Sequence, residues 1–201
     1  PFGMYTIPLR SVPAGAGATI SWGNRIMTLW IRYEHQGAEG FGTLDGETIT
    51  VHSGDMIAGA TATGETVNLS DVTVLAPIKP GKMVALWNNY NTMREKMGGE
   101  RPEEPLWFIK TNNSITATET VIERPASYDG KVVYEGELGI VIGKRCKHVP
   151  KERAHEVIAG YFVGNDVSVR DWQLRTNTWQ IGKSFDTHGP TGPWIVTPDE
   201  V

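Results

Sequence analysis

The chain has 201 residues, 39% of them hydrophobic, enough to build a buried core, and 19 Lys and Arg against 23 Asp and Glu give a formal net charge of -4. Its basic residues are dispersed among acids, which excludes the positive stripe that binds nucleic acid or an anionic membrane. A single cysteine, Cys146, excludes an intrachain disulfide, and no apolar run approaches the ~20 residues needed to cross a bilayer, so a soluble cytoplasmic protein is expected.

In chain order, residues 1–26 are rich in Gly, Ala, Pro and Ser and read as a loosely held leader. From residue 27 to 78, β-prone runs such as Thr28–Tyr33, Thr48–His52 and Val72–Leu75 alternate with Gly-bearing turns and predict a small β-rich domain. The two prolines and the glycine of residues 76–81 suggest a boundary, and residues 79–201 form the second unit. There, Lys82–Trp87 and Leu106–Lys110 read as strands, and Asn89–Met97 as a short helix stopped by Gly98 and Gly99.

Residues 131–144, KVVYEGELGIVIGK, alternate as one strand. Val133, Glu135, Glu137, Gly139 and Val141 share one face, and Tyr134, Leu138, Ile140 and Ile142 share the other. Lys151–Ile158 has helical spacing, and the strand Tyr161–Val163 follows it. The whole is a β-rich α+β pattern, without repeats or heptads.

Two glutamates at i and i+2 of a strand lie roughly 6.5–7 Å apart along the backbone, close enough for both carboxylates to reach one cation. Asp166, where a strand gives way to a loop in VGNDVSVRD, adds a third oxygen donor; such a set suits Mg2+, Mn2+ or Ca2+ better than zinc. Spacing alone leaves the alternative open that Glu135 and Glu137 are the wet face of an amphipathic strand.

The surrounding segments VVYEGELGIVIGK, GYFVGNDVSVRDWQ and GKSFDTHGPTGPW, in this order, resemble successive motifs of the fumarylacetoacetate hydrolase family. The resemblance runs from about Lys82 to Val201, and the β-rich segment before it is more weakly similar to the small N-terminal domain of many members. It implies a mixed β-roll preceded by that domain, and a homodimer acting on a small 2-oxo or enol acid. It also implies that Glu135, Glu137 and Asp166 hold the metal, that Lys183 is the active-site lysine, and that Arg170 and Gln173 line the substrate pocket. In such a site the cation stabilises an enolate, whether the reaction is isomerisation, decarboxylation or carbon–carbon hydrolysis.

The chain departs from the family pattern twice. Met93 and Lys96 in WNNYNTMREK stand where hydrolases and decarboxylases of the family commonly carry a His and a Glu, and methionine cannot act as a general base. Glu95 and His188, the latter five residues beyond Lys183, are remaining candidates for proton transfer, and Lys183, Glu135 and His188 are the expected catalytic residues. The family fold also continues past the GPW segment with strands that close its roll, so those C-terminal strands are expected to be missing here. The alternative to an enzyme is a relative that binds metal and ligand without turnover, and a third reading is a β-rich interaction domain whose acids are ordinary surface residues.

Overall fold

The computed structural model describes residues 28–198; the expected leader lies outside them. In chain order the elements are β1 (Leu29–His35), β2 (Ala38–Asp45), β3 (Thr48–Asp55), β4 (Gly59–Asn68), β5 (Thr73–Val74), β6 (Met83–Leu86), α1 (Asn91–Lys96), β7 (Trp107–Lys110), β8 (Ile115–Thr116), β9 (Val132–Val133), β10 (Gly136–Ile142), β11 (Ile158–Asn165), β12 (Ser168–Val169), α2 (Arg170–Gln173) and β13 (Gly189–Val196). The β-rich α+β pattern of the sequence is the observed class.

Local chemistry explains the first hairpins. Gln36 and Gly37 both have positive φ, 52 and 80, which matches the right-handed twist of β1 and β2 across a two-residue turn. Gly46, φ 58, opens the turn between β2 and β3. Among the described residues, nine strands join in one sheet whose main path is β10-β11-β13-β1-β2-β3-β4, with β5 against β1 and β8 against β13. Its pairs are antiparallel except β13 with β8.

The sheet runs without a break across residue 78, because β1 pairs with β13 through Leu29↔Val196 and Trp30↔Ile195. Packing crosses the same line. Ile31, Tyr33, Leu44 and Ile49 form one buried cluster with Trp194 packed against it, and Val141, Phe162 and Ile195 form another that takes in Trp30, Met56 and Ile57.

Two expectations change. Lys151–Ile158 is not an α-helix: Lys151–Val157 is wound as 3-10 turns after Pro150, tight enough to return the chain beside β10 as β11. Residues 131–144 are not one strand. They divide into β9, paired with β12, and β10, paired with β11, although Val133↔Ser168 and Gly136↔Asn165 keep a single register. Between them the ladder keeps one bond, from the Asp166 amide to the Glu135 carbonyl, while Asn165 Oδ1 accepts from the Glu135 amide at 3.1 Å in place of a strand partner.

β10 also settles which face is inward. Val141 is buried and Glu137 half-buried, whereas Leu138, Ile140 and Ile142 are 59%, 51% and 58% exposed. The face carrying the acid packs against the molecule, and the apolar face points out. Gly139 makes this close packing possible, since a Cβ there would run into the Phe162 ring of β11. Among the described residues no helix is long and apolar enough to cross a membrane.

These faces predict opposite responses to substitution. Ile49→Ala, in the core, should lower the stability measured by urea unfolding by about 2–5 kcal/mol. Ile140→Thr, on the outward face of β10, should change it by no more than about 0.5 kcal/mol.

Candidate active site

The loosened stretch of the ladder brings Glu135 and Asp166 together. Glu135 immediately precedes β10 and Asp166 immediately follows β11, and the Gly136↔Asn165 pairing sets their backbones opposite each other. The Asp166 amide donates to the Glu135 carbonyl at 2.8 Å. Residues thirty-one positions apart thus meet as neighbours.

Lys183 lies between their carboxylates. Its Nζ donates to Glu135 Oε2 and to Asp166 Oδ2, each at 2.6 Å, and the side chain is only 2% exposed. The turn before it fixes its approach: Trp179 takes a left-handed φ of 60 and its ring lies 3.9 Å, centroid to centroid, from Trp87. Gly182 then packs against α2, where a Cβ would collide with the backbone of Gln173, the last residue of that helix. The Phe108 ring of β7 lies 5.3 Å from Lys183 Nζ, within cation–π range.

Arg170, at the start of α2, pairs with Glu135 Oε1 at 2.9 Å and donates to Gln173 Oε1 at 3.2 Å. It is not paired with its neighbour Asp171, which instead accepts from the Tyr128 hydroxyl at 2.7 Å. Gln173 is buried.

Glu137 extends the cluster along β10. Burial pushes its carboxyl above the usual carboxylate range; a hydrogen bond with Tyr90 opposes this, and the charges of Asp166 and Glu135 reinforce it. The Tyr90 hydroxyl also accepts from the Leu138 amide at 3.0 Å, which ties the segment entering α1 to β10.

His188 stands apart from this constellation. It is wholly buried, its Nε2 lies 2.9 Å from the Glu123 carbonyl, and its own carbonyl accepts from the Val167 amide at 3.0 Å. Burial holds its ring below the usual histidine pKa and so favours the neutral form. These contacts join the loop at 123 to the strand beyond Asp166. Met93 on α1 is 58% exposed.

One cluster member escaped the sequence reading. Lys110, the last residue of β7, has a side chain only 3% exposed and donates to Asp166 Oδ1 at 2.7 Å and to the Lys183 carbonyl. A signal was present: in Leu106–Lys110, Lys110 shares a face with Phe108, and a lysine in register with a buried aromatic needs a buried partner.

In kind, the donor set fits a hard dication: three oxygen-only side chains from two segments, two of them already holding one cationic group, the Lys183 ammonium. Among the described residues, no three His, Cys, Asp or Glu side chains already stand grouped around a common ion position. Lys183 Nζ fills the space between two of the acids.

The raised Glu137 pKa has a definite sign for stability. A carboxyl titrating higher in the folded than in the unfolded chain favours folding fully below the unfolded value near 4.5, and that contribution is lost as pH rises through the folded value. With chelator present, Glu137→Gln should therefore raise the urea midpoint at pH 7 relative to the parent, and the gain should disappear below pH 4.5.

Residues 82–201 match the family model for the fumarylacetoacetate (FAA) hydrolase C-terminal region, and residues 29–77 match the Rv2993c-like N-terminal model. Protein Rv2993c of Mycobacterium tuberculosis is 46% identical over 137 residues, which are 68% of this chain and 51% of that protein. The chain thus spans about half the length of this curated relative. The crystal structure of 2-hydroxyhepta-2,4-diene-1,7-dioate isomerase from Mycobacterium marinum superposes with a TM-score of 0.76 at 36% identity, covering 86% of this chain and 67% of that one. A fumarylacetoacetate hydrolase from the psychrophile Exiguobacterium antarcticum gives a TM-score of 0.72 at 28% identity, over 87% of this chain and 68% of that one. With the family model covering more than half of its residues, this chain belongs to the fumarylacetoacetate hydrolase family.

Proposed function

We propose that the chain carries the cation and substrate site of an enzyme that performs enolate chemistry on small 2-oxo or enol acids, dicarboxylic acids included. The observation behind this reading is the meeting of Glu135 and Asp166 on one buried ammonium, with Glu137 beside them, in a family whose structural neighbours include an isomerase and a hydrolase. Glu135, Glu137 and Asp166 would hold Mg2+, Mn2+ or Ca2+. When bound, the cation supplies Lewis acidity toward a 2-oxo acid and a template for its carboxylate.

The chain's own residues contribute the rest. Lys183 holds a positive charge in a place nearly closed to water, where a preorganised donor counts most against developing negative charge. Arg170 is less enclosed, with 42% of its side chain exposed, and its planar fork suits the distal carboxylate of a dicarboxylic acid. Buried Gln173 steadies that fork through its Oε1.

Among the reactions open to such a site, isomerisation or decarboxylation is favoured over hydrolysis. Met93 offers no base and Lys96 no orienting carboxylate on α1. The same observation supports the second reading, binding of metal and ligand without turnover.

Calorimetry with Mn2+ tests the metal site directly. The chain should bind Mn2+, and Asp166→Asn should weaken binding by about 100-fold or more, beyond the 10–100-fold typical of residues that only support a ligand. Undiminished binding in Asp166→Asn would remove the proposed ligand set. Ultraviolet absorbance of enol dicarboxylic acids mixed with the Mn2+-loaded protein then separates an enzyme, which consumes the chromophore, from a binder, which leaves it unchanged.

A further inference from the structure

Asp166 is held from two sides, and the two sides are not equivalent. Lys183 Nζ takes Oδ2 and shares itself with Glu135. Lys110 Nζ takes Oδ1 and, among the described residues, pairs with no other acid; its second bond goes to the carbonyl of Lys183 itself. Lys110 therefore touches both the carboxylate and the backbone from which the bridging lysine projects.

We propose that Lys110 is a positioning residue for this site: it dictates which oxygen of Asp166 meets Lys183 and fixes the backbone that aims Lys183. This rests on the reading of Asp166 and Lys183 as site residues. A carboxylate can rotate to offer both oxygens to one cation, but with Oδ1 engaged by a buried ammonium only Oδ2 is turned toward Glu135.

The neighbouring contacts act in the same direction. The Thr111 amide donates to Ser184 Oγ at 3.3 Å, and Asn113 Nδ2 donates to the Ser184 carbonyl at 3.2 Å and to Asp186 Oδ1 at 2.6 Å. Residues 110–113 thus grip residues 183–186 as a continuous clamp, and Phe108, two residues earlier on the same face of β7, meets the far end of the Lys183 side chain. Lys110 is the charged, most deeply buried member of that clamp.

A second ammonium beside Lys183 is electrostatically unfavourable for Lys183 and for any bound dication. If Lys110 were only a counter-charge for Asp166, its removal would tighten cation binding. If it positions, removal loosens binding despite the relieved repulsion. The two roles predict opposite signs.

The test uses the 201-residue chain labelled with 15Nζ-lysine, the Lys183 ammonium resonance being assigned by its loss in Lys183→Arg. In Lys110→Met, with unchanged far-ultraviolet circular dichroism, the Lys183 ammonium protons should exchange with solvent at least about tenfold faster. Calorimetric Mn2+ affinity should fall by about tenfold. An unchanged Lys183 resonance in the folded variant, or a higher Mn2+ affinity, would overturn the proposal. Should Lys110→Met fail to fold, Lys110→Arg keeps the charge and changes the geometry: a displaced Lys183 resonance supports the proposal and an undisplaced one sinks it. Parent protein that binds no Mn2+ would remove the metal reading while leaving the ammonium resonance to decide the role of Lys110.

Discussion

Asp166 accepts one buried ammonium on each of its carboxylate oxygens, and the surrounding structure is arranged to keep that charge in a place where water barely reaches. Taking ions out of water is costly, and only close opposite charges and complete hydrogen bonding offset the cost. Here the offset comes from alternation of sign: Lys110, Asp166, Lys183, Glu135 and Arg170 form an unbroken chain of contacts, each member touching one of the opposite charge. Removing one partner from a buried pair of this sort typically costs about 3–5 kcal/mol, because it strands the other charge. Glu137, adjacent and without a cationic partner among the contacts described, is an acid whose charge burial disfavours.

The fold supplies this cluster by interrupting itself. β10 and β11 continue in register into β9 and β12, but between them the ladder thins to one bond, from the Asp166 amide to the Glu135 carbonyl, and this loosened segment carries both acids. Had the strands stayed paired through this point, the backbone polar groups would have been satisfied by each other. Instead the Asn165 side chain serves the Glu135 amide, and the His188 carbonyl serves the Val167 amide. β7 then closes the cluster from another direction with Phe108 and Lys110.

Much of this could be read from residues alone, and the failures have physical causes. Alternation in residues 131–144 correctly divided the acids from Leu138, Ile140 and Ile142, yet alternation is symmetric: it cannot say which face is inward, since that depends on the distant side chains, Met56, Ile57, Ile78 and Met83 among them, that pack on the cluster of Val141. It also could not reveal the loosened pairing at Glu135, because the register is unchanged across it. The motifs named Glu135, Glu137, Asp166, Lys183, Arg170 and Gln173 but not the bridging of two acids by Lys183, which needs three distant segments at once. Lys110 was read only as the end of a strand, its polarity masking its burial. β13 was harder still, because Pro190 and Pro193 argue against a strand, and the chain satisfies them with irregular pairing to β11.

The pairing of β1 with β13 bears on how the molecule could be cut. Leu29 and Trp30 cover one margin of the strand that leaves the lysine-bearing segment, and Trp30 and Trp194 each lean into a core seated mainly on the opposite half. Excising the smaller β-rich half would strip amides and carbonyls of β13 bare and uncover Ile195 beside them, leaving a sticky margin open to association with other chains. The outlying hairpins of this module are free of that constraint, but its first strand is mortared into the same wall as β13.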